Sequence, residues 1–403
     1  MNVLNGIPKR ACTSCQMCGA ICPKGAITIS IDDEGFYRPL IDDTLCVNCN
    51  LCTKVCYKYD DSIITTNTAQ IGNLKLYAAA AKDDVIVRQT TSGGIADLLA
   101  QALIGRGYTV VGVAYNSKLN IAMHEAADTI SETKKFRGSK YIQSYSVDAF
   151  RKLVKSCRNK KFAVFGLPCE IYSISRYLDL IKCRENCILI DLYCHGCPSM
   201  FAWNKVSDSV KKELHVSYFE TVNWRSKYRG WGNFVLEIHG DNGKIFRSSP
   251  MRNEFFDFFF CNQLLNESCV DCKLRGTLAY TDIRLGDFWG KEYDKTFRGV
   301  SGVSVITSRG ESIFKDISKD INSKEKDFSC FLPYQSWDHV YKVNPVYRKQ
   351  LMQLLQDNDT TLTQCYTPIK KRQGLSEKIM RLVKQVLYYM PEALEKNIRK
   401  IIK

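Results

Sequence analysis

The chain has 403 residues, 45% of them hydrophobic, and a formal net charge of +15 from 57 Lys and Arg against 42 Asp and Glu. That length and apolar share exclude a disordered tail or a small stapled scaffold, and predict two or three domains with a sizeable core. Nineteen cysteines, with no charged-then-apolar leader and no apolar run of about 18 residues, argue against secreted disulfides and a membrane span; they predict a cytoplasmic protein whose thiols bind metal.

The basic excess favours an acidic partner. It overstates the folded charge, because a cubane held by four thiolates is a dianion and three of them would lower +15 to roughly +9.

Cys12-x2-Cys15-x2-Cys18-x3-Cys22-Pro23 is followed by Cys46-x2-Cys49-x2-Cys52-x3-Cys56-Tyr57. Tight spacing lets one loop wrap three corners of a 4Fe-4S cubane, while the fourth cysteine ligates the other cluster. Cys12, Cys15, Cys18 and Cys56 are thus expected on one cluster, and Cys22, Cys46, Cys49 and Cys52 on the second. Paired zinc knuckles would use C-x2-C pairs rather than triplets with a displaced fourth ligand. Between the runs, "AITISIDDEGFYRPLID" alternates around Asp33-Glu34-Gly35 and predicts a β-hairpin. Residues 1–66 form a ferredoxin-like domain on this reading, with Tyr57 standing where a second proline would fall.

From Leu74 the pattern becomes α/β, predicted over 67–345. "LYAAAA" and "YTVVGVAY" read as strands, and "TSGGIADLLAQALIGRG" as a helix capped by Ser92 with Ile95, Leu98, Leu99, Ala102 and Leu103 on one face. Gly93 and Gly94 either admit a pyrophosphate to bare backbone N–H groups or form an ordinary turn. "KFAVFGLPCEI" and "CILIDLYCHGCPS" are strands ending in cysteine-bearing turns, and strand ends converge at a sheet's carboxyl edge. Cys169 and Cys194 are therefore expected to meet there, and Cys269 and Cys272 complete a four-thiol set for a third cluster. Cys197 is a rival ligand; half a zinc site, or thiols buried as small apolar groups, are the alternatives. Cys157, Cys183, Cys187, Cys261, Cys330 and Cys365 lack ligand spacing and are expected to be structural.

The ferredoxin module followed by "TSGG", "RGSKYIQS", "FGLPCEI", "DLYCHGCPS", "WRSKYRGW" and "CVDCKLRGTLAYTDIRLGDFWG" resembles, in that order, the beta subunit of the coenzyme F420 hydrogenase and dehydrogenase family, over about residues 8 to 310. The resemblance implies an iron-sulfur flavoprotein in which FAD mediates between one-electron clusters and a two-electron partner, a deazaflavin coenzyme or an organic substrate, with polysaccharide assembly among the roles of its bacterial members. Carried over by position, Cys169, Cys194, Cys269 and Cys272 match its cluster motifs, and Ser92, Gly93, Gly94, Ser139, Lys140 and Tyr141 its flavin segments. Asp282 and Asp287 match its acidic positions; Arg225, Lys227 and Trp231 are candidates for a substrate site or an exposed basic loop, and His195 for a proton donor.

Residues 346–403 are expected to form a basic helical tail. "LSEKIMRLVKQVLYYM" and "EALEKNIRKIIK" are amphipathic, with the apolar stripe expected on the protein's own domain or, alternatively, on an anionic membrane surface. The expected fold class is α+β and α/β: a small two-cluster ferredoxin-like domain, a larger α/β iron-sulfur flavoprotein domain and the helical tail. The expected function is an iron-sulfur, flavin-dependent oxidoreductase whose partners are an acidic redox protein such as ferredoxin or another oxidoreductase subunit, and a small-molecule substrate or coenzyme, with no nucleic acid. A non-catalytic electron-transfer subunit is the alternative.

Overall fold

The computed structural model describes residues 1–293 and 296–390. The helix expected in "EALEKNIRKIIK" lies outside them. Fourteen strands occur among the described residues: β1 Ile27–Ile31, β2 Tyr37–Ile41, β3 Lys75–Ala81, β4 Thr109–Asn116, β5 Ile121–Ala127, β6 Ser144–Tyr145, β7 Phe162–Phe165, β8 Cys187–Leu192, β9 Phe219–Ser226, β10 Val235–Gly240, β11 Ile245–Arg247, β12 Ile283–Asp287, β13 Ser301–Val305 and β14 Ile321–Lys326.

β1 and β2 form the expected hairpin, in register from Ile27 opposite Ile41 to Ile31 opposite Tyr37. Asp32 closes its turn by accepting from the N–H groups of Glu34 and Phe36.

Nine strands build one mixed sheet in the order β14-β3-β13-β12-β8-β7-β4-β5-β6. Its centre, β12-β8-β7-β4, is parallel, and antiparallel strands flank it on both sides. The central strands are apolar throughout because both faces are covered. Side chains alternate between the faces with period two. Val110, Ala163, Ile188 and Ile190 meet the helices Ile95–Gly105 and Ser308–Asp316, whereas Val111, Val164, Phe162 and Leu189 meet Val147–Ser156 and Pro168–Leu180. The second face also receives Met17, Ile21 and Val55 of the N-terminal module.

A smaller antiparallel sheet, β11-β10-β9, lies in a third core with Trp203, Trp224 and the phenylalanines of Glu254–Phe260. The helices Pro345–Gln356 and Leu362–Arg372 close that core through Leu351, Leu355 and Ile369. The architecture is therefore mixed α/β with one large sheet and a helical C-terminal region.

The helix Leu375–Tyr389 departs from expectation. Its apolar stripe was expected to face its own domain, but Leu375, Ile379, Leu382 and Val386 are 53–75% exposed and only Leu387 is buried. The inward face is polar. Arg381 pairs with Asp257 at 2.5 Å, Gln385 accepts the N–H of Met251 at 3.0 Å, and Arg229 donates to the Leu387 and Met390 carbonyls. The anchors select which face turns inward, because a bidentate guanidinium-carboxylate pair is satisfied only on the domain side. No helix of the described residues is long and apolar enough to cross a membrane.

The N-terminal module is bonded firmly to the rest. Arg38, with no exposed side-chain surface, donates to Asp32 at 3.0 Å, to the Cys12 carbonyl and to Asn266, which in turn donates to Cys12 and Ser14. Gln16 bonds the backbone of Ser144 and Ser146, and Gln143 that of Gly35 and Tyr37.

Candidate iron-sulfur site

The two N-terminal runs fold alike. The residues on either side of the middle cysteine take left-handed backbone in both: Ser14 and Gln16 at φ 65° and 61°, Asn48 and Asn50 at φ 50° and 62°. Alternating handedness curls a loop so that its amides and thiols face one side. Each curl lines a void. Cys12, Cys15, Cys18 and Cys56, with Cys52, line one of about 460 Å³; Cys22, Cys46, Cys49 and Cys52 line another of about 360 Å³, solvent at the mouth included. Each void holds the four thiols expected together from the spacing, Cys56 and Cys22 each coming from the other run, and Cys52 borders both. The voids and their thiol lining fit a cubane each. The second is the outer one, since Cys49 is exposed whereas Cys18 is buried.

The third set assembles at the carboxyl edge of the large sheet. Cys169 follows β7, in the first turn of a helix started by Pro168 and closed by Glu170, which accepts the Leu167 N–H at 2.7 Å. Cys194 and Cys197 follow β8 in a loop that pairs with the segment before Cys269: Asn266 donates to the Cys197 carbonyl at 2.8 Å and Ser199 to that of Leu264 at 2.9 Å. Gly196 lies against the Cys269 β-carbon, where its own β-carbon would stand at 3.3 Å. Cys169 and Cys272 pack together on Tyr57, Tyr172 and Leu274. The Cys269 thiol accepts from the Cys197 N–H, and that of Cys194 from Gly196.

Burial pushes the Cys194 thiol up to about 12 and Cys269 to about 11, with repulsion from neighbouring thiols adding to both. Cys169 and Cys197 rise well above the usual thiol range, first by burial, then through Glu170 and Cys15 for Cys169 and through Cys269 and Cys194 for Cys197. Such thiols hold their protons until a cation replaces them, which is the chemistry of iron ligation. Among the described residues no three Cys, His, Asp or Glu side chains close to the spacing of a single metal ion. A cubane, with one thiolate per iron, asks for a wider ring.

Cys197 lies within this ring, in electrostatic contact with Cys169, Cys194, Cys269 and Cys272, so five thiols gather where four were expected. The ring also adjoins the first N-terminal void: the Cys15 sulfur is 3.4 Å from the Ser173 hydroxyl, which donates to the Cys169 carbonyl at 2.9 Å. Two cations that spacing did not flag favour thiolates here. Arg275, buried, donates to the Cys269 carbonyl and acts on Cys194 and Cys269, and Lys58 acts on Cys56 and Cys269. A positive side chain in the C-x2-C-K-L-R stretch was the available signal.

The residues matched to the flavin are also drawn together. Ser139 donates its N–H to Thr91 at 2.7 Å, and Arg137 forks onto Asp97 at 2.9 and 2.8 Å, strapping the "RGSK" segment to "TSGG". Ser92 is not the helix cap. Its hydroxyl donates to the Val300 carbonyl at 2.8 Å, and Gly94, left-handed at φ 83°, takes the cap position. Gly93 serves close packing, since a β-carbon there would stand 2.3 Å from the Ala79 carbonyl, and its N–H is given to Ser301. Lys140 points its ammonium at the carbonyls of Lys135, Phe136 and Arg137 at 3.0–3.3 Å, while burial lowers its pKa to about 7.

Tyr141 turns inward, where its hydroxyl accepts from Arg225 at 3.2 Å. Arg225 is no exposed loop residue. It is buried over the Phe234 ring and bonds Asp287 and the Trp231 carbonyl, and Trp231 stacks on Trp289 at 4.2 Å. Lys227 donates to the carbonyls of Ser92 and Val87, joining this group to the glycine turn. Asp287 ends β12, and the preceding Gly286 packs on Tyr193, the residue before Cys194. Asp282 lies at the opposite end of β12 as a structural hub for Arg184, Arg309, Thr307 and the Leu189 N–H. His195 has both ring nitrogens engaged, with Asn262 at 2.7 Å and Tyr341 at 2.9 Å, and burial lowers its pKa to about 4, which favours the neutral imidazole over an imidazolium acid. Of the cysteines expected to be structural, Cys157, Cys183, Cys187 and Cys365 are buried and Cys261 is half-buried, but Cys330 is exposed.

Paired thiol voids in a module docked on a sheet edge that gathers five more thiols define an iron-sulfur electron-transfer protein. Residues 11–58 match the family model described as a 4Fe-4S dicluster domain, and residues 159–329 the model for the C terminus of the coenzyme F420 hydrogenase/dehydrogenase beta subunit. The chain joins these two domains, and its 159–329 region belongs to that beta-subunit family. It is 25% identical over 194 residues to a subunit of the F(420)H(2) dehydrogenase of Methanosarcina mazei, a match covering 45% of this chain and 53% of the relative. The chain thus spans about half the length of that curated relative. A chain of the xenon-derivatised F420-reducing NiFe hydrogenase complex from Methanosarcina barkeri aligns at 16% identity and a TM-score of 0.44, over 79% of this chain and 96% of that one.

Proposed function

We propose that this protein is an oxidoreductase subunit that takes electrons singly at an exposed 4Fe-4S centre held by Cys22, Cys46, Cys49 and Cys52. Clusters held by the chain's three thiol sets would give those electrons a path inward, and FAD held at the sheet edge would supply their exit in pairs to a small-molecule partner. The observation that supports this reading is the gathering of Cys169, Cys194, Cys197, Cys269 and Cys272 next to Cys15, which brings a third thiol group against the first. A bound flavin supplies the conversion between one- and two-electron chemistry. The chain's own residues shape its place: Arg137 and Ser139 hold the "RGSK" strap on the glycine turn, and the buried Arg225, Asp287 and Tyr141 group fixes the end of β12.

The resemblances favour a deazaflavin or an organic substrate as the partner, and another oxidoreductase subunit as the donor. Anaerobic purification with iron, sulfide and flavin counted per chain tests the scheme. About twelve irons and one FAD are expected; about eight irons would remove the third centre, and absence of flavin the terminal one.

A second reading concerns the outward apolar stripe of Leu375–Tyr389, flanked by the exposed Lys370, Lys371 and Lys378. Such a helix suits an anionic lipid surface. Full-length protein is expected to float with phosphatidylserine vesicles and a chain ending at residue 373 to stay behind; equal behaviour of the two would end this reading.

A further inference from the structure

Tyr57 stands directly after Cys56, where the first run has Pro23 after Cys22. The exchange reaches beyond the turn. The Tyr57 side chain leaves the N-terminal module and packs with Tyr172, ring centroids 6.2 Å apart and edge-on, and with Leu274, among the thiols of Cys169 and Cys272. One residue thus follows a thiol of the first set along the chain and touches the third set in space.

Among the described residues its buried hydroxyl and that of Ser268, the residue before Cys269, find no hydrogen-bond partner outside this pair. Tyr57 and Ser268 are 5% and 4% exposed and lie beside each other. Other buried tyrosines are satisfied: Tyr172 donates to Asp60 at 2.5 Å, and Tyr341 to Ser336 at 2.9 Å. A bond between them uses only one of the two protons, and a buried proton without an acceptor is costly, so the pair beside the thiol ring still asks for an acceptor that the side chains do not supply. Sulfur of a bound cubane is such an acceptor, and it grows more negative on reduction.

We propose that Tyr57 and Ser268 donate hydrogen bonds to the sulfur atoms of the third centre and raise its reduction potential relative to the same centre without them. Hydrogen bonds to cluster sulfur favour the reduced, more negative state, so they ease electron transfer from the first centre into the third. The inference rests on the third centre proposed above.

Its test is a potentiometric titration of the full-length protein, followed by electron paramagnetic resonance, on Y57F, S268A and the double variant. The third-centre signal is the one lost in a Cys269→Ser, Cys272→Ser protein. Both single variants are expected to lower that potential, and the double variant to weaken reduction about tenfold, equivalent to about 59 mV for one electron, at an unchanged iron content. Y59F serves as the comparison, because the Tyr59 hydroxyl already donates to the Val3 carbonyl at 3.0 Å; it is expected to leave the third signal in place. An unmoved potential in the double variant at about twelve irons would overturn the hydrogen bonds alone, whereas about eight irons in the parent protein would overturn them together with the centre they address.

Discussion

Replacing Cys269 and Cys272 together with serine is expected to lower the iron content from about twelve to about eight per chain and to leave the two N-terminal centres intact. The pair supplies two of five thiols in the ring, so only three remain, and a cubane needs four. A single Cys194→Ser change should behave differently. Cys197 is buried among the same thiols and can occupy the vacated corner, so iron content should hold while the spectrum of the third centre changes. Cys330→Ser, at an exposed thiol bonded to the Asp327 carbonyl, should change neither. Iron and acid-labile sulfide measured on anaerobically purified protein check all three. Full iron in the double variant would mean that the downstream pair binds nothing.

Arg38→Met is expected to destabilise the protein by about 3–5 kcal/mol, the usual cost of leaving one member of a buried ion pair alone. The Arg38 and Asp32 side chains are 0% and 3% exposed, so water cannot replace the lost guanidinium. The same change strips a donor from the Cys12 carbonyl and from Asn266, which is where the N-terminal module joins the rest. The first centre should therefore lose iron sooner on standing. Lys75→Met makes a fair comparison: its pair with Glu311 spans 2.7 Å but is 48% and 33% exposed, and such pairs contribute about 0–1 kcal/mol. Urea midpoints by far-ultraviolet circular dichroism separate the cases; an Arg38 variant as stable as the Lys75 variant would refute the argument.

The N-terminal thiol groupings were legible because they are local. Three thiols within seven residues must share a loop, and the duplicated spacing already states which fourth cysteine crosses over. The strands from Leu76, Tyr108, Phe162 and Cys187 were legible for a related reason, since a strand buried on both faces is apolar without interruption. What failed at this level failed on polar partners distant in sequence. Ser92 looked like a helix cap, but the Val300 carbonyl on a neighbouring strand claims its hydroxyl, and no local pattern announces that bond. The tail helix was read correctly as a helix and wrongly as to which face turns inward. Its apolar stripe is stated by spacing, whereas Asp257, the partner that draws Arg381 to the domain, is 124 residues away in sequence.

By itself, then, the order of residues determined the two cysteine-lined loops, the elements of the large sheet, and the placing of Cys169 and Cys194 at one edge through the rule that parallel strands deliver their ends there. Tertiary structure alone decided that Cys197 joins the ring, that Arg225 is spent on Asp287 and Tyr141, and that Tyr57 reaches from one thiol set to the next. Backbone periodicity is set by neighbours a few residues apart, so it can be read along the chain. Which buried polar group finds a partner depends on segments brought together only when the core closes.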